Sequence, residues 1–235
     1  MMDYDDFTVV LPTLNEGKSI GMLIRRLLKL YGGIHVIVMD DGSRDSTVED
    51  VKTASGRSRR VRLIDRAAAR LEKGLTGSVV DGISAARTRF VVVMDADLQH
   101  PPEVVGKIAK ELEGGADLAI AVRAEVKGWA LHRKMISKML ISLGYMVMLL
   151  RRSERSNDIF SGFFGVDRRL FSSTYSLNRR RFVTGGYKVL FDFLKCMKRD
   201  SIRISEVPYS FGIRKHGASK AGFRQGAYLF KSFLS

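Results

Sequence analysis

The sequence predicts an α/β fold, a mostly parallel, Rossmann-like sheet flanked by helices, and three observations carry that prediction. Four short apolar runs rich in β-branched residues recur through the first half, as strands buried on both faces require. Most of them are followed by a polar turn and then a helical stretch, the grammar of repeated strand–helix units. At 235 residues and 45% hydrophobic, the chain can bury a full core in a single three-layer domain spanning 1–235.

The strands expected are Phe7–Leu11, Ile34–Met39, Val61–Ile64 and Phe90–Met94. After the first, Thr13 and Glu16 stand at capping-box spacing and predict a helix whose apolar face is Ile20, Leu23, Ile24, Leu27 and Leu28. In the turn after the second, Gly42 permits a tight bend, and Ser43 or Asp45 can cap the following helix. Pro101 and Pro102 fit the start of a further helix running to Glu113 and stopped by Gly114-Gly115. Beyond residue 120 the pattern is less regular. Residues 129–150 read as a long helix with a broad apolar face from Trp129 through Met135, Met139, Leu143 and Met146 to Leu150. Its charge-free part, Met139 to Leu150, is too short to span a bilayer. Basic residues at both ends fit an interfacial helix; a Met-rich stripe equally fits core packing. A second amphipathic segment runs from Phe223 to Leu234.

Charge divides the chain. Residues 1–120 hold 17 Lys and Arg against 18 Asp and Glu, whereas residues 121–235 hold 23 against 7. The overall +15 therefore belongs to the second half, and such a field favours an anionic partner: nucleic acid, anionic lipid or a phosphorylated substrate. The single cysteine, Cys196, excludes an internal disulfide framework and suits a reducing compartment. The acidic start from Met1 to Asp6 does not have the form of a signal peptide.

In parallel sheets ligands bind beyond the carboxyl ends of the strands. Here those ends read Pro12–Glu16, Asp40–Asp45, Asp65–Arg66 and Asp95–Gln99, each with at least one acid. The most informative is Asp95-Ala96-Asp97 directly after Val91-Val92-Val93-Met94. Two carboxylates one residue apart at a strand end concentrate negative charge, which a hard divalent cation bridging to a diphosphate would satisfy; a solvated turn is the plainer alternative. A carboxylate at Asp40 or Asp41 is placed to accept hydrogen bonds from a base or ribose. Neither G-x-G-x-x-G nor a Walker A loop occurs, so phosphate would be handled by metal and side-chain cations. Arg214 and Lys220, six apart in a basic loop, are candidates for a diphosphate clamp. His35, His100, His132 and His216 show no metal-ligand spacing.

Together these segments resemble the dolichol-phosphate mannose synthases of glycosyltransferase family 2, from Phe7 to about Gln225. The resemblance rests on Leu11-Pro12-Thr13-Leu14-Asn15-Glu16, Asp40-Asp41-Gly42-Ser43, Asp95-Ala96-Asp97 with Gln99, and Glu206-Val207-Pro208 followed by Arg214, Gly217, Ser219 and Lys220. It implies a GT-A fold with a nucleotide-sugar half (1–120) and an acceptor, membrane-facing half (121–235). It implies an enzyme that transfers a hexose, foremost mannose from GDP-mannose, to dolichyl or another polyprenyl phosphate with inversion, by metal-assisted direct displacement. By the same resemblance Pro12, Leu14, Glu16, Met39, Asp41 and Ala96 would line the nucleotide, and Asp95, Asp97 and Gln99 would hold Mg²⁺ or Mn²⁺. Arg214 and Lys220 would clamp the diphosphate, Arg133 and Ser137 would receive the acceptor phosphate, and Arg123 would contact the acceptor phosphate or the donor phosphate. Leu14 stands where the family usually has Tyr, and Asp192 where it usually has Glu. The acceptor and the basic second half lead to an expected peripheral contact on the cytoplasmic side of a membrane, with an anchoring partner or a C-terminal anchor beyond Ser235 and no role for nucleic acid. The alternatives are a GT-A enzyme with another donor, such as UDP-glucose, or another acceptor, and a basic nucleic-acid or membrane-binding protein that is not an enzyme.

Overall fold

All four apolar runs of the first half are strands in the computed structural model: β1 (Phe7–Thr13), β2 (His35–Asp40), β3 (Val61–Asp65) and β4 (Phe90–Val93). The structure describes residues 2–69, 71, 73–126, 131–212 and 223–235, with backbone alone for 125, 126, 131–138 and 223–225. The four strands pair in parallel, with Val9 of β1 opposite Val36 of β2 and Val92 of β4. Three more complete the sheet, β5 (Leu118–Val126), β6 (Phe164–Asp167) and β7 (Ile204–Phe211), giving the order β3-β2-β1-β4-β6-β5-β7. Only β6 runs against its neighbours. Pro208 in β7 is tolerated because β7 is an edge strand, where a missing N–H costs no ladder bond.

Helices cover both faces. On one side α1 (Gly17–Leu30), α2 (Thr47–Ser55) and α4 (Val104–Glu113) pack Ile20, Leu23, Ile24, Leu27, Val51 and Ile108 against Val9, Val36 and Val92. On the other, α3 (Leu75–Ala85), α6 (Arg168–Leu177), α7 (Val189–Leu194) and α8 (Phe223–Leu234) pack Val79, Phe171, Phe191 and Leu229 against Val10, Ile37 and Val91. Strand residues alternate between these two clusters, which is why both faces read as apolar in sequence.

One local expectation is corrected. Thr13 does not cap α1; it is the buried last residue of β1, with its hydroxyl donating to the Met39 carbonyl and to Asp40 at 3.3 Å each. As a β-branched residue it prolongs the strand, and α1 is capped from elsewhere: Glu16 N–H donates to Thr47 Oγ1 (2.8 Å) and Gly17 N–H to Asp45 Oδ2 (3.1 Å). Asp45 also accepts from Thr47 N–H at 3.0 Å, so one carboxylate joins the starts of α1 and α2.

The apolar stripe of α5 (Leu131–Leu150) is divided between the core and the surface over its described side chains. Met148 is fully buried and Gly144 lets Ile159 and Phe160 approach, whereas Met139, Met146, Leu149 and Leu150 are exposed. Among the described residues no helix is long and apolar enough to cross a membrane.

Candidate active site at the carboxyl ends of β1, β2 and β4

The strand order reverses between β1 and β4, and the predicted acids gather at that crevice. β4 ends at Val93, and the turn that follows carries Asp95, Ala96, Asp97 and Gln99. Leu98 adopts the left-handed backbone (φ 63°), a strained state for such a residue and one that clusters at functional sites. This reversal lets Asp97 Oδ1 accept the Gln99 N–H (3.1 Å). Asp97 and Ala96 are buried, while the Asp95 side chain is 38% exposed. The residue types fit a divalent cation: hard carboxylate oxygens with the Gln99 amide beside them, at the open edge of a sheet. Among the described residues no group of three or more His, Cys, Asp or Glu is placed so that protein side chains alone could hold a metal ion. A metal here would thus need oxygens from substrate or water, as Mg²⁺ sites commonly do.

His100 supports the turn instead of joining the acids as a ligand. Its Nδ1 accepts the Asp95 N–H (3.1 Å), and its ring stacks on Phe163 at 4.9 Å. Burial pushes its pKa down to about 4, so the imidazole is neutral at physiological pH. Gln99 is fixed to β7's exit: Gly212 N–H donates to its carbonyl (2.9 Å) and its Nε2 donates to the Gly212 carbonyl (3.1 Å). Gly212, the last described residue before Arg214 and Lys220, therefore lies beside the acidic turn. Arg214 and Lys220 themselves lie outside the described residues, as do the side chains of Arg133 and Ser137, whose positions fall in α5.

Arg123 sits at a bulge in β5, a device that re-aims side chains near active sites. Its guanidinium makes a two-pronged pair with Asp158 (Nε–Oδ2 2.6 Å, Nη2–Oδ1 2.8 Å) and lies over the Phe211 ring. The sequence reading missed Lys188. Its Nζ donates to the Phe160 carbonyl (3.3 Å), lies 4.6 Å from the Tyr187 ring centre, and is within the field of Arg123, Asp158 and Asp95. Burial first, then Arg123, brings its pKa down to about 8. The signal available in sequence was slight, a cation after Gly185-Gly186-Tyr187. The Tyr209 hydroxyl, opposite Arg123 in the β5–β7 ladder, is buried with no hydrogen-bond partner among the described residues.

The nucleotide side is built from β1 and β2. Leu14 is exposed, Pro12 and Glu16 are half-buried, and Met39 is buried beneath them. Gly42 takes φ 88°, and the turn it makes lets Asp40 Oδ2 accept from Gly42 N–H (3.0 Å) and Ser43 N–H (2.8 Å). Asp40 is thus a turn former, whereas Asp41 is held by Arg66, Ser78 and Gly74. Asp192 has a different place. Its carboxylate is buried against Lys195 (2.8 Å), Ser232 and the Val183 N–H (3.0 Å), tying α7 to α8. Burial raises its pKa, with the Lys195 cation opposing.

The fold has many counterparts among known proteins. The family model for glycosyl transferase family 2 matches residues 8–181. A dolichol-phosphate mannosyltransferase of Mycosarcoma maydis is 33% identical over 95% of this chain and 75% of its own. One from Pyrococcus furiosus is 35% identical over 91% of this chain, which spans 58% of that relative's length. Among solved structures, glucosyl-3-phosphoglycerate synthase of Mycobacterium tuberculosis, in complex with Mn²⁺, UDP-glucose and glycerol 3-phosphate, aligns with TM-score 0.66 at 22% identity, covering 97% of this chain and 78% of that one. That likeness concerns the fold, which is the GT-A arrangement of an α/β glycosyltransferase. On the match over most of its length, this chain belongs to glycosyl transferase family 2.

Proposed function

We propose that the chain transfers mannose from GDP-mannose to dolichyl or another polyprenyl phosphate, with inversion at the anomeric carbon. The observation that carries the reading is the Asp95–Asp97 pair at the switch point, flanked by Arg123 and Lys188. The mannosyltransferase relatives support the sugar and the acceptor. A divalent cation held by Asp95, Asp97 and Gln99 would offset charge on the departing nucleoside diphosphate. Mg²⁺ and Mn²⁺ both suit these oxygens, and the Mn²⁺ bound by the Mycobacterium neighbour favours trying Mn²⁺ first.

The acceptor phosphate is anionic at neutral pH, so it attacks the anomeric carbon without a general base. One C–O bond forms as the bond to the diphosphate breaks. Asp192, in its buried pair with Lys195, has no part in this step. The chain's task is positioning and charge stabilisation: Pro12, Leu14, Glu16, Met39, Ala96 and Asp41 toward the nucleoside, Arg214 and Lys220 toward the diphosphate, and Arg123, Arg133 and Ser137 toward the acceptor.

The exposed apolar residues of α5 (Met139, Met146, Leu149, and Leu150 at 80%) and of α8 (Phe230, Leu234) support peripheral contact with a membrane, and the cytoplasmic side is part of the proposal. Arg151 and Arg152 close α5 beside them, as anionic headgroups would favour. Incubating the protein with labelled GDP-mannose or UDP-glucose, with and without a short polyprenyl phosphate, tests the reading. GDP-mannose with the lipid should give the labelled product; transfer from UDP-glucose alone, or transfer without lipid phosphate, would replace it with the second donor or acceptor class.

A further inference from the structure

Among the described residues Arg66 is the largest fully buried side chain, with 2% of it exposed. Burying a guanidinium is costly unless its partners are well placed, and here they come from three directions. Its Nη1 pairs with Asp41 Oδ1 and donates to Ser78 Oγ (3.0 Å). Its Nε and Nη2 reach Asp81 Oδ2 at 3.0 and 2.8 Å. Its own N–H donates to the Asp40 carbonyl (2.9 Å), which fixes the residue at the exit of β3 beside β2.

The same network fills Asp41 from behind. Asp41 Oδ2 accepts from Ser78 Oγ (3.0 Å) and from Gly74 N–H (3.1 Å), and Oδ1 accepts from Arg66. An ionised carboxylate offers about four acceptor positions. Three are therefore taken by Arg66, Ser78 and Gly74, leaving one on Oδ1. Gly74 can serve only as glycine: it has φ 153°, and a Cβ there would collide with the Thr184 carbonyl.

We infer that Arg66 and Asp81 are positioning residues for donor binding, holding the Asp41 carboxylate so that its one remaining acceptor position faces a hydroxyl or N–H of the nucleoside. Arg66 does not touch the nucleotide in this arrangement; it acts through Asp41. Asp81, on α3 with 36% of its side chain exposed, orients Arg66 from the far side and balances its charge. The inference rests on the reading of Asp41 as a nucleoside contact.

The test is a double-mutant cycle read as affinity for GDP with Mn²⁺ and as donor KM and kcat. Asp81→Asn changes a group at the rim, and Arg66→Lys keeps the charge but cannot bridge two carboxylates; thermal melts of both check folding. Each should weaken GDP binding about tenfold, the lower end of what losing an outer partner costs at metal sites, raising donor KM while leaving kcat unchanged. Asp41→Asn should weaken binding too, and Asp41→Asn with Asp81→Asn should be no weaker than Asp41→Asn alone. If Asp41→Asn weakens binding while folded Asp81→Asn and Arg66→Lys bind as wild type, or if the two effects add, the positioning role is overturned. If Asp41→Asn itself binds GDP as wild type, the nucleoside reading of Asp41 fails first, and Arg66 is a structural ion pair.

Discussion

Lys195→Met tests how the C-terminal helix is held. The Lys195 ammonium has no exposed surface and the Asp192 carboxylate has 1%. Besides the 2.8 Å ion pair, Nζ donates to the Ser232 carbonyl (2.8 Å) and Ser235 Oγ (2.6 Å), and so also satisfies the last turn of α8. Methionine fills similar space but leaves a buried carboxylate without its cation, a loss of about 3–5 kcal/mol. Asp192 keeps the Val183 N–H and the Ser232 hydroxyl, which places the expected cost near the lower end, about 3 kcal/mol. For a chain of this size that is roughly 6–12 °C in Tm. Asp192→Leu with Lys195→Met removes both charges and should be more stable than the single variant. The sign of the pH dependence is fixed by the raised Asp192 pKa: the native carboxyl holds its proton better than the unfolded one, so the deficit of Lys195→Met should shrink as pH falls and grow as pH rises. Thermal unfolding followed by circular dichroism at pH 5 and pH 8 measures all three. A single variant as stable as wild type, or a double variant less stable than the single, would refute the reasoning.

Two further outcomes follow from the site. Lys188 should lose its charge as pH rises through about 8, so turnover should fall on the alkaline side, and Lys188→Arg should carry activity to higher pH; a pH–rate profile superimposable on wild type would count against a role for this cation. Gly74→Ala forces a side chain into a φ 153° position against the Thr184 carbonyl, at about 1–3 kcal/mol; a chemical-denaturation midpoint unchanged from wild type would contradict that packing.

The sheet was legible wherever strands were apolar on both faces and followed by a turn. Val91–Val93 and Val36–Val38 could be little else. Legibility failed where tertiary partners replaced local ones. Thr13 and Glu16 have capping-box spacing, yet α1 is capped by Asp45 and Thr47 from the next strand–helix unit, which no local pattern encodes. The strands β5, β6 and β7 went unread; Gly165 interrupts the apolar pattern of β6 and β7 carries Pro208. The acidic turns announced the candidate site because paired carboxylates after a buried strand serve no core. Lys188 gave no such sign, since an isolated cation in sequence looks solvated until the fold buries it, and Arg66, though it stood at a strand end, showed nothing of its burial. Asp192 shows the converse, an acid between apolar residues whose partner, Lys195, is one helical turn away.

The proposed function turns on a divalent cation held by Asp95 and Asp97 for sugar transfer to a lipid phosphate. Its most direct measurement is the transfer of labelled mannose from GDP-mannose to a short polyprenyl phosphate, with Mn²⁺ titrated, by wild type and by Asp97→Ala. Wild type should form an organic-extractable product in proportion to bound metal, and Asp97→Ala should form none at any Mn²⁺ concentration. Undiminished transfer by Asp97→Ala, or by wild type in excess chelator, would contradict the assignment.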